Sequence, residues 1–197
     1  MTWTNAVAVL FLLVFLNKVW FYQHRGRPYS RGRHADGLAL GLFRWVDVYL
    51  RLSTLVICLA SLYSDSPWLA KMPLGPACGF IGVALVLVAE VLFVWAMIAL
   101  GSQYSPCFDS HLPTNLVDSG PYARIRHPIY LANTILFCGA VLITSSAWMF
   151  GNLGILAVFY TTAARREENG LAEKLHGFKE YQAVTGRILP KLRRSRA

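Results

Sequence analysis

Five long apolar blocks alternate with short polar, basic connectors along the 197 residues of the chain. They run Trp3–Tyr22, Trp45–Tyr63, Leu74–Leu100, Ile129–Ser145 and Trp148–Ala164. Roughly 20 residues of helix are needed to cross ~30 Å of hydrocarbon, so this pattern predicts an all-α, polytopic membrane protein of about five spans. The fourth and fifth blocks are separated by little more than Ser145-Ser146-Ala147 and are expected to form a tight antiparallel hairpin. The first block has no basic segment before it and no small-residue cleavage site after it, and so reads as a span and not as a signal peptide.

Charge gives the spans a direction. Hydrophobic residues make up 55% of the chain, yet it also carries 19 Lys+Arg against 10 Asp+Glu, a net charge of +9. The basic residues fall in alternate connectors: Arg25, Arg27, Arg31, Arg33 and Arg44 in the first, Arg124 and Arg126 in the third, and a cluster in the tail. The second connector has only Lys71 and the fourth has none, so the positive-inside rule predicts the N-terminus outside and the C-terminus in the cytoplasm. Juxtamembrane cations meet anionic lipid, and no recognition motif accompanies them, so nucleic-acid binding is excluded as a function class. Cys58, Cys78, Cys107 and Cys138 form no C-x-x-C pair, and three of them lie in apolar blocks, so neither a disulfide framework nor a metal centre is expected. The Gly75-x-x-x-Gly79 pair permits a close helix contact.

Candidate chemistry concentrates where polar residues interrupt this pattern. In the third connector, Pro128 disfavours a helical conformation at His127 and suits the first helical position, which puts His127 at the cap of the fourth span. There the positive end of the helix disfavours imidazolium. Glu167 and Glu168 are adjacent carboxylates just past the fifth apolar block, where a helix terminus favours cations, so something must offset them. Arg165 reaches Glu168 at i,i+3 and Arg166 flanks the pair, which allows a solvated ion-pair network; the other reading is a carboxylate that receives the ammonium or ribose hydroxyls of a ligand. Glu90, deep in the third block, is expected to face the bundle interior or a cavity. Asp47 and Arg51 form an i,i+4 pair of structural kind.

In order along the chain, Leu100-Gly101-Ser102-Gln103-Tyr104-Ser105, Leu116-Val117, Gly120-Pro121-Tyr122, Arg126-His127-Pro128-Ile129-Tyr130, Glu167-Glu168, Tyr181 and Arg187-Ile188-Leu189-Pro190 resemble the boxes of the isoprenylcysteine carboxyl methyltransferase family. These are integral-membrane enzymes related to the phospholipid methyltransferases, and the resemblance covers roughly the C-terminal half. It implies one methyltransferase domain over residues 1–197, with three spans in 1–100 and the cofactor-binding connector, hairpin and cytoplasmic tail in 101–197. It implies S-adenosylmethionine as cofactor, bound at the cytoplasmic end by Asn115, Leu116, Val117, Tyr122, His127, Pro128, Ile129, Tyr130, Glu167, Arg187 and Pro190. His127, Glu167 and Glu168 are the candidate catalytic groups. Glu90 and Arg165 are the candidate contacts to the acceptor.

Members that methylate a carboxylate carry arginine four positions before Glu167, where this chain has Ala163. Arg165 and Arg166 lie about 200° and 300° around the helix from that position. The expected activity is therefore methylation of a small or lipid-like hydrophobic acceptor. A prenylcysteine carboxyl methyltransferase and a non-catalytic membrane scaffold or transporter subunit are the alternatives.

Overall fold

A computed structural model describes residues 3–25, 37–63, 67–104 and 115–191. These residues form six α-helices: α1 (Trp3–Arg25), α2 (Gly37–Tyr63), α3 (Pro76–Leu100), α4 (Pro128–Thr144), α5 (Ala147–Lys174) and α6 (Phe178–Val184). Short 3-10 turns lie at Pro67–Leu69, Gly101–Gln103 and Gly120–Ala123, and no strand forms among the described residues. Arg27, Arg31, Arg33, Ser105 and Cys107 lie outside them.

Two helices are long and apolar enough to cross a membrane, Pro76–Gln103 and Ala147–Lys174, while the apolar segments Val9–Phe21 and Pro128–Thr144 are shorter. α3 buries Gly82, Val86, Ala89, Phe93, Ala96 and Met97, a stripe at spacings of three and four that follows the helical repeat. Its outer face is equally apolar: Phe80, Ile81, Leu87, Val88, Val91, Trp95 and Ile98 are exposed. A helix apolar all round has no polar face to give to water.

α4 is the central element, with Ala132, Leu136, Phe137, Ala140 and Val141 all buried. It meets α3 at a glycine-to-glycine crossing. A Cβ on Gly82 would stand 2.7 Å from the Gly139 carbonyl oxygen, and one on Gly139 would stand 2.7 Å from that of Gly82. The two backbones touch because neither residue has a side chain. The close contact thus falls three residues beyond the Gly75-x-x-x-Gly79 pair, and Gly75 has nothing within 4 Å of its Cβ position.

Ser145 takes a left-handed conformation (φ 49°) and ends α4, so α5 starts two residues later. The segment before α3 pins this hairpin tip. Met72 N–H donates to the Ser145 carbonyl at 2.6 Å, Ala147 N–H to Ala70 at 3.1 Å, and the Ser146 hydroxyl to the Leu69 carbonyl at 2.7 Å. α5 then runs ten residues past Ala164 to Lys174. The Arg, Glu, Ala and Leu residues there are strong helix formers, and a helix does not stop where its hydrophobic stretch does. Glu167 and Glu168 therefore sit within the body of α5 and not at its end.

Candidate active site at the connector and glutamate pair

Local chemistry shapes the connector between α3 and α4. Gly120 has φ +57°, and a Cβ there would press against Ala99 and the Trp95 indole at 3.2 Å, so the chain turns tightly over the end of α3. The Gly120–Ala123 turn buries Pro121 and Tyr122. Pro128 opens α4 with His127 at the cap position, in a non-helical conformation (φ −124°, ψ 62°).

The tail returns and pairs with this connector through a single parallel bridge between Ile125 and Gly186. Arg126 N–H donates to the Gly186 carbonyl at 2.8 Å and His127 N–H to that of Arg187 at 3.0 Å, while Gly186 N–H donates to Arg124 at 3.1 Å. The Tyr181 hydroxyl donates to the Tyr122 carbonyl at 2.7 Å. Burial pushes the Tyr181 phenol up to about 12, the Arg126 guanidinium opposing this only in part, so the hydroxyl stays a donor. Burial likewise raises the Tyr122 phenol well above its ordinary value, helped by the Glu167 carboxylate.

Glu168 is the hub of this assembly. Its side chain is 3% exposed and its two oxygens collect donors from the connector and the tail. Arg126 Nε donates to Oε1 at 2.9 Å and His127 Nε2 to the same oxygen at 3.1 Å. Arg187 donates to Oε2 through Nε at 3.0 Å and Nη2 at 2.6 Å. Burial alone would raise this carboxyl, but the donors from His127, Arg187 and Arg126 outweigh it and hold the group well below the usual carboxylate range. The same contact raises Arg187 above its ordinary value. The cations that offset the pair thus come from the connector and the tail. Arg165 is exposed and makes no hydrogen bond among the described residues, and Arg166 lies over the Phe43 ring at 5.3 Å.

Glu167 faces differently. It is 31% exposed, accepts the Tyr130 hydroxyl on Oε2 at 2.8 Å, and has His127 Nδ1 at 3.7 Å. Its Oε1 has no donor among the described residues. The His127, Tyr130 and Tyr160 rings form a continuous stack, with centroids 4.9 and 4.3 Å apart and planes within 7°.

The connector and the glutamate pair therefore meet, bringing His127, Pro128, Tyr130, Glu167, Glu168 and Arg187 together. Ile129 and Val117 pack in the cluster of Phe93, Met97 and Tyr122, while Leu116 packs on Leu171, Phe178 and Tyr181. Asn115 and Pro190 are exposed at the rim.

The phospholipid methyltransferase family model matches residues 77–177, from the first turn of α3 to the residue before α6. The chain belongs to the phospholipid methyltransferase family. A cobalt-zinc-cadmium resistance protein of Cupriavidus metallidurans is 29% identical over 129 residues, covering 65% of this chain and 54% of that protein. A nickel-cobalt-cadmium resistance protein of Alcaligenes xylosoxydans xylosoxydans is 26% identical over 156 residues, covering 78% of this chain and 65% of that one. The chain thus spans between about half and two thirds of the length of these relatives. The family match takes in the connector and the glutamate pair but not the tail residues Phe178, Tyr181, Gly186, Arg187 and Pro190.

Glu90 lies away from this site, and around it stands a residue that the hydropathy pattern conceals. Lys18, inside the first apolar block, is buried against Asn133 of α4, Glu90 and Phe93 of α3. One lysine scarcely lowers the average hydropathy of a 20-residue window. The signal that it could have given was its coexistence with Glu90, two opposite charges in two apolar blocks.

Proposed function

We propose that this protein is an integral-membrane methyltransferase that uses S-adenosylmethionine and methylates a small or lipid-like hydrophobic acceptor at the cytoplasmic side. Family membership supports the chemistry, and the observation that carries the reading is the unequal use of the two glutamates. Glu168 is saturated by Arg126, His127 and Arg187, whereas Glu167 keeps one oxygen without a donor among the described residues, beside a stacked aromatic wall. The cofactor has an ammonium and two ribose hydroxyls to offer such an oxygen. Among the described residues the backbone groups of Leu116 and Val117 also lack partners, which suits an adenine edge.

When bound, the cofactor supplies a methyl group on a sulfonium, which an in-line nucleophile can displace without a metal. The chain's part is to bind, orient and keep out water. Glu167 and the connector backbone hold the polar groups, and the His127-Tyr130-Tyr160 stack forms one wall. Glu168 positions the connector and tail, and His127 stands between both carboxylates. The five apolar segments cross the membrane with the N-terminus outside, so the site opens at the cytoplasmic surface.

Ala163 leaves no arginine one turn before Glu167, which argues against a prenylcysteine carboxylate as acceptor. A second reading, a non-catalytic membrane component of a metal-resistance system, draws on the names of the two relatives. Tritiated S-adenosylmethionine supplied to membranes carrying the protein separates the two. The proposed activity predicts transfer of label into the organic extract that is lost in His127→Ala; equal labelling with and without the protein favours the non-catalytic reading.

A further inference from the structure

The polar cluster inside the bundle is built from four helices. Asn17 of α1 donates to Glu90 Oε1. Lys18 Nζ donates to Asn133 Oδ1 at 3.0 Å, lies 3.9 Å from Glu90 Oε2 and sits 3.5 Å above the Phe93 ring. Asn133 Nδ2 donates to the Tyr160 hydroxyl at 2.7 Å. By helix rise, Lys18 is about 10 Å from the end of α1 and Glu90 about 15 Å from that of α3. Charges at that depth are costly and are normally satisfied in full.

These are not. Asn133 is the only hydrogen-bond acceptor that Lys18 has among the described residues, and the ion pair stops short of hydrogen-bond distance. Glu90 Oε2 is buried and has no hydrogen-bond partner among the described residues. An unused N–H and an unused carboxylate oxygen thus stand side by side, and a buried pair left so points to a third group.

We propose that Asn17, Lys18, Glu90 and Asn133 form the polar end of the acceptor site, and that it takes a lipophilic thiol or phenol. The inference rests on the methyltransferase reading above. The selection follows from counting donors and acceptors. A carboxylate or phosphate only accepts, so it satisfies Lys18 and is repelled by Glu90. An ammonium only donates, so it satisfies Glu90 and is repelled by Lys18. A hydroxyl or thiol does both through one atom.

A methyl acceptor must also lose its proton, which is within reach for a thiol (about 8.5) or a phenol (about 10) and far less so for an alkanol. The S–H or O–H proton passes to Glu90 Oε2, and the resulting anion is held by Lys18. Its lone pair then forms the bond to the methyl carbon as the donor's sulfur–carbon bond breaks, leaving that electron pair on the donor sulfur. The thioether or aryl ether product can no longer donate to Glu90, and the proton on Glu90 is left for release.

Position supports this role. Tyr160, bonded to Asn133, stacks on Tyr130, which donates to Glu167, so the cluster and the cofactor site lie along the same pair of stacked rings and adjoin at their edge. Asn17 and Lys18 lie in α1, outside the 77–177 segment shared with the family. α1 packs chiefly on α2 and touches α3 sparsely, and the Glu90 side chain keeps 19% exposure beside that seam, which gives a lipophilic molecule its way in.

The test uses the detergent-solubilised full chain and 4-nitrophenol, whose phenolate is yellow, at one pH unit below the free phenol's own pKa, with protein-free micelles subtracted. The free probe is then about one-tenth ionised. The proposal predicts that more than half of the bound probe is ionised. Lys18→Met, which removes the cation that holds the phenolate, should bind the probe colourless and at least tenfold more weakly, whereas Glu90→Gln, which leaves Lys18 without its counter-ion, should keep it ionised. Both variants should bind S-adenosylhomocysteine as the wild type does. Octanoate and octylamine should not displace the probe. Displacement by either, or wild-type spectra from both variants, overturns the proposal. Should the variants fail to bind S-adenosylhomocysteine and so prove misfolded, the displacement series on the wild type decides. A wild type that ionises the phenol but binds no S-adenosylhomocysteine keeps this site and loses the methyltransferase reading, and the reverse result does the opposite.

Discussion

At the scale of single residues, Glu167 and Glu168 are neighbours on one helix, about 100° apart, and are put to different uses. Glu168 takes four charge-assisted contacts from Arg126, His127 and Arg187 and is almost fully buried. Glu168→Gln leaves two guanidinium groups facing a neutral amide, and removal of one member of such a buried group costs about 3–5 kcal/mol. A clear fall in melting temperature in detergent is the expected result, and an unchanged one contradicts the role. The sign of the pH dependence follows from its depressed value. The stabilisation is present above the ordinary carboxyl value of about 4.3 and is lost as pH falls through the lower folded value. Melting temperature should therefore not vary on account of this group between pH 7 and 5 and should decline in acid, and Glu168→Gln should flatten that decline. The pairing of Arg126 and Arg187 with Glu168 was not legible in the sequence. Both lie far from it along the chain, and only the i,i+3 partner Arg165 has a spacing that sequence can show. That nearby partner points elsewhere, because the connector reaches the same face of α5 first.

Among the elements, the α3–α4 crossing and the tail clip hold the site in place. Gly82→Val introduces a Cβ 2.7 Å from the Gly139 carbonyl, and overpacking of this kind costs about 1–3 kcal/mol. Because the connector joins these two helices, thermal stability and S-adenosylhomocysteine affinity should fall together; a stable variant with full affinity would show that the crossing is not tight. Tyr181→Phe removes the hydroxyl that holds α6 to the Tyr122 carbonyl, a net effect of about 1 kcal/mol. Its expected signature is faster proteolysis after α5 with the bundle intact. Helix positions were readable because the apolar blocks are long and Pro128 marks the start of α4. The end of α5 was not, since hydropathy stops at Ala164 while helix propensity continues to Lys174. The glycine crossing was also hidden: Gly82 and Gly139 are 57 residues apart, and nothing in either local pattern names the other.

For the whole molecule, the connector, the end of α5 and the tail gather at one end of the bundle, with the hairpin tip at Ser145-Ser146 at the other. The proposed orientation makes a direct prediction. With Cys78, Cys107 and Cys138 replaced by serine, a membrane-impermeant maleimide applied to intact cells should label Trp148→Cys and spare Lys179→Cys. The reverse pattern would mean that the basic connectors lie outside. Polar residues in apolar blocks were the hardest to interpret from sequence. Glu90 could be noticed alone, whereas Lys18 gains meaning only when α1 and α3 stand side by side.

The central claim is that Glu167 and the connector beside it hold S-adenosylmethionine, and calorimetric titration of S-adenosylhomocysteine into the purified protein, wild type against Glu167→Gln and His127→Ala, tests it most directly. Micromolar binding by the wild type that falls at least tenfold in both variants, with their melting temperatures preserved, is the predicted result. No binding by a folded wild type, or equal affinity in all three proteins, would contradict it.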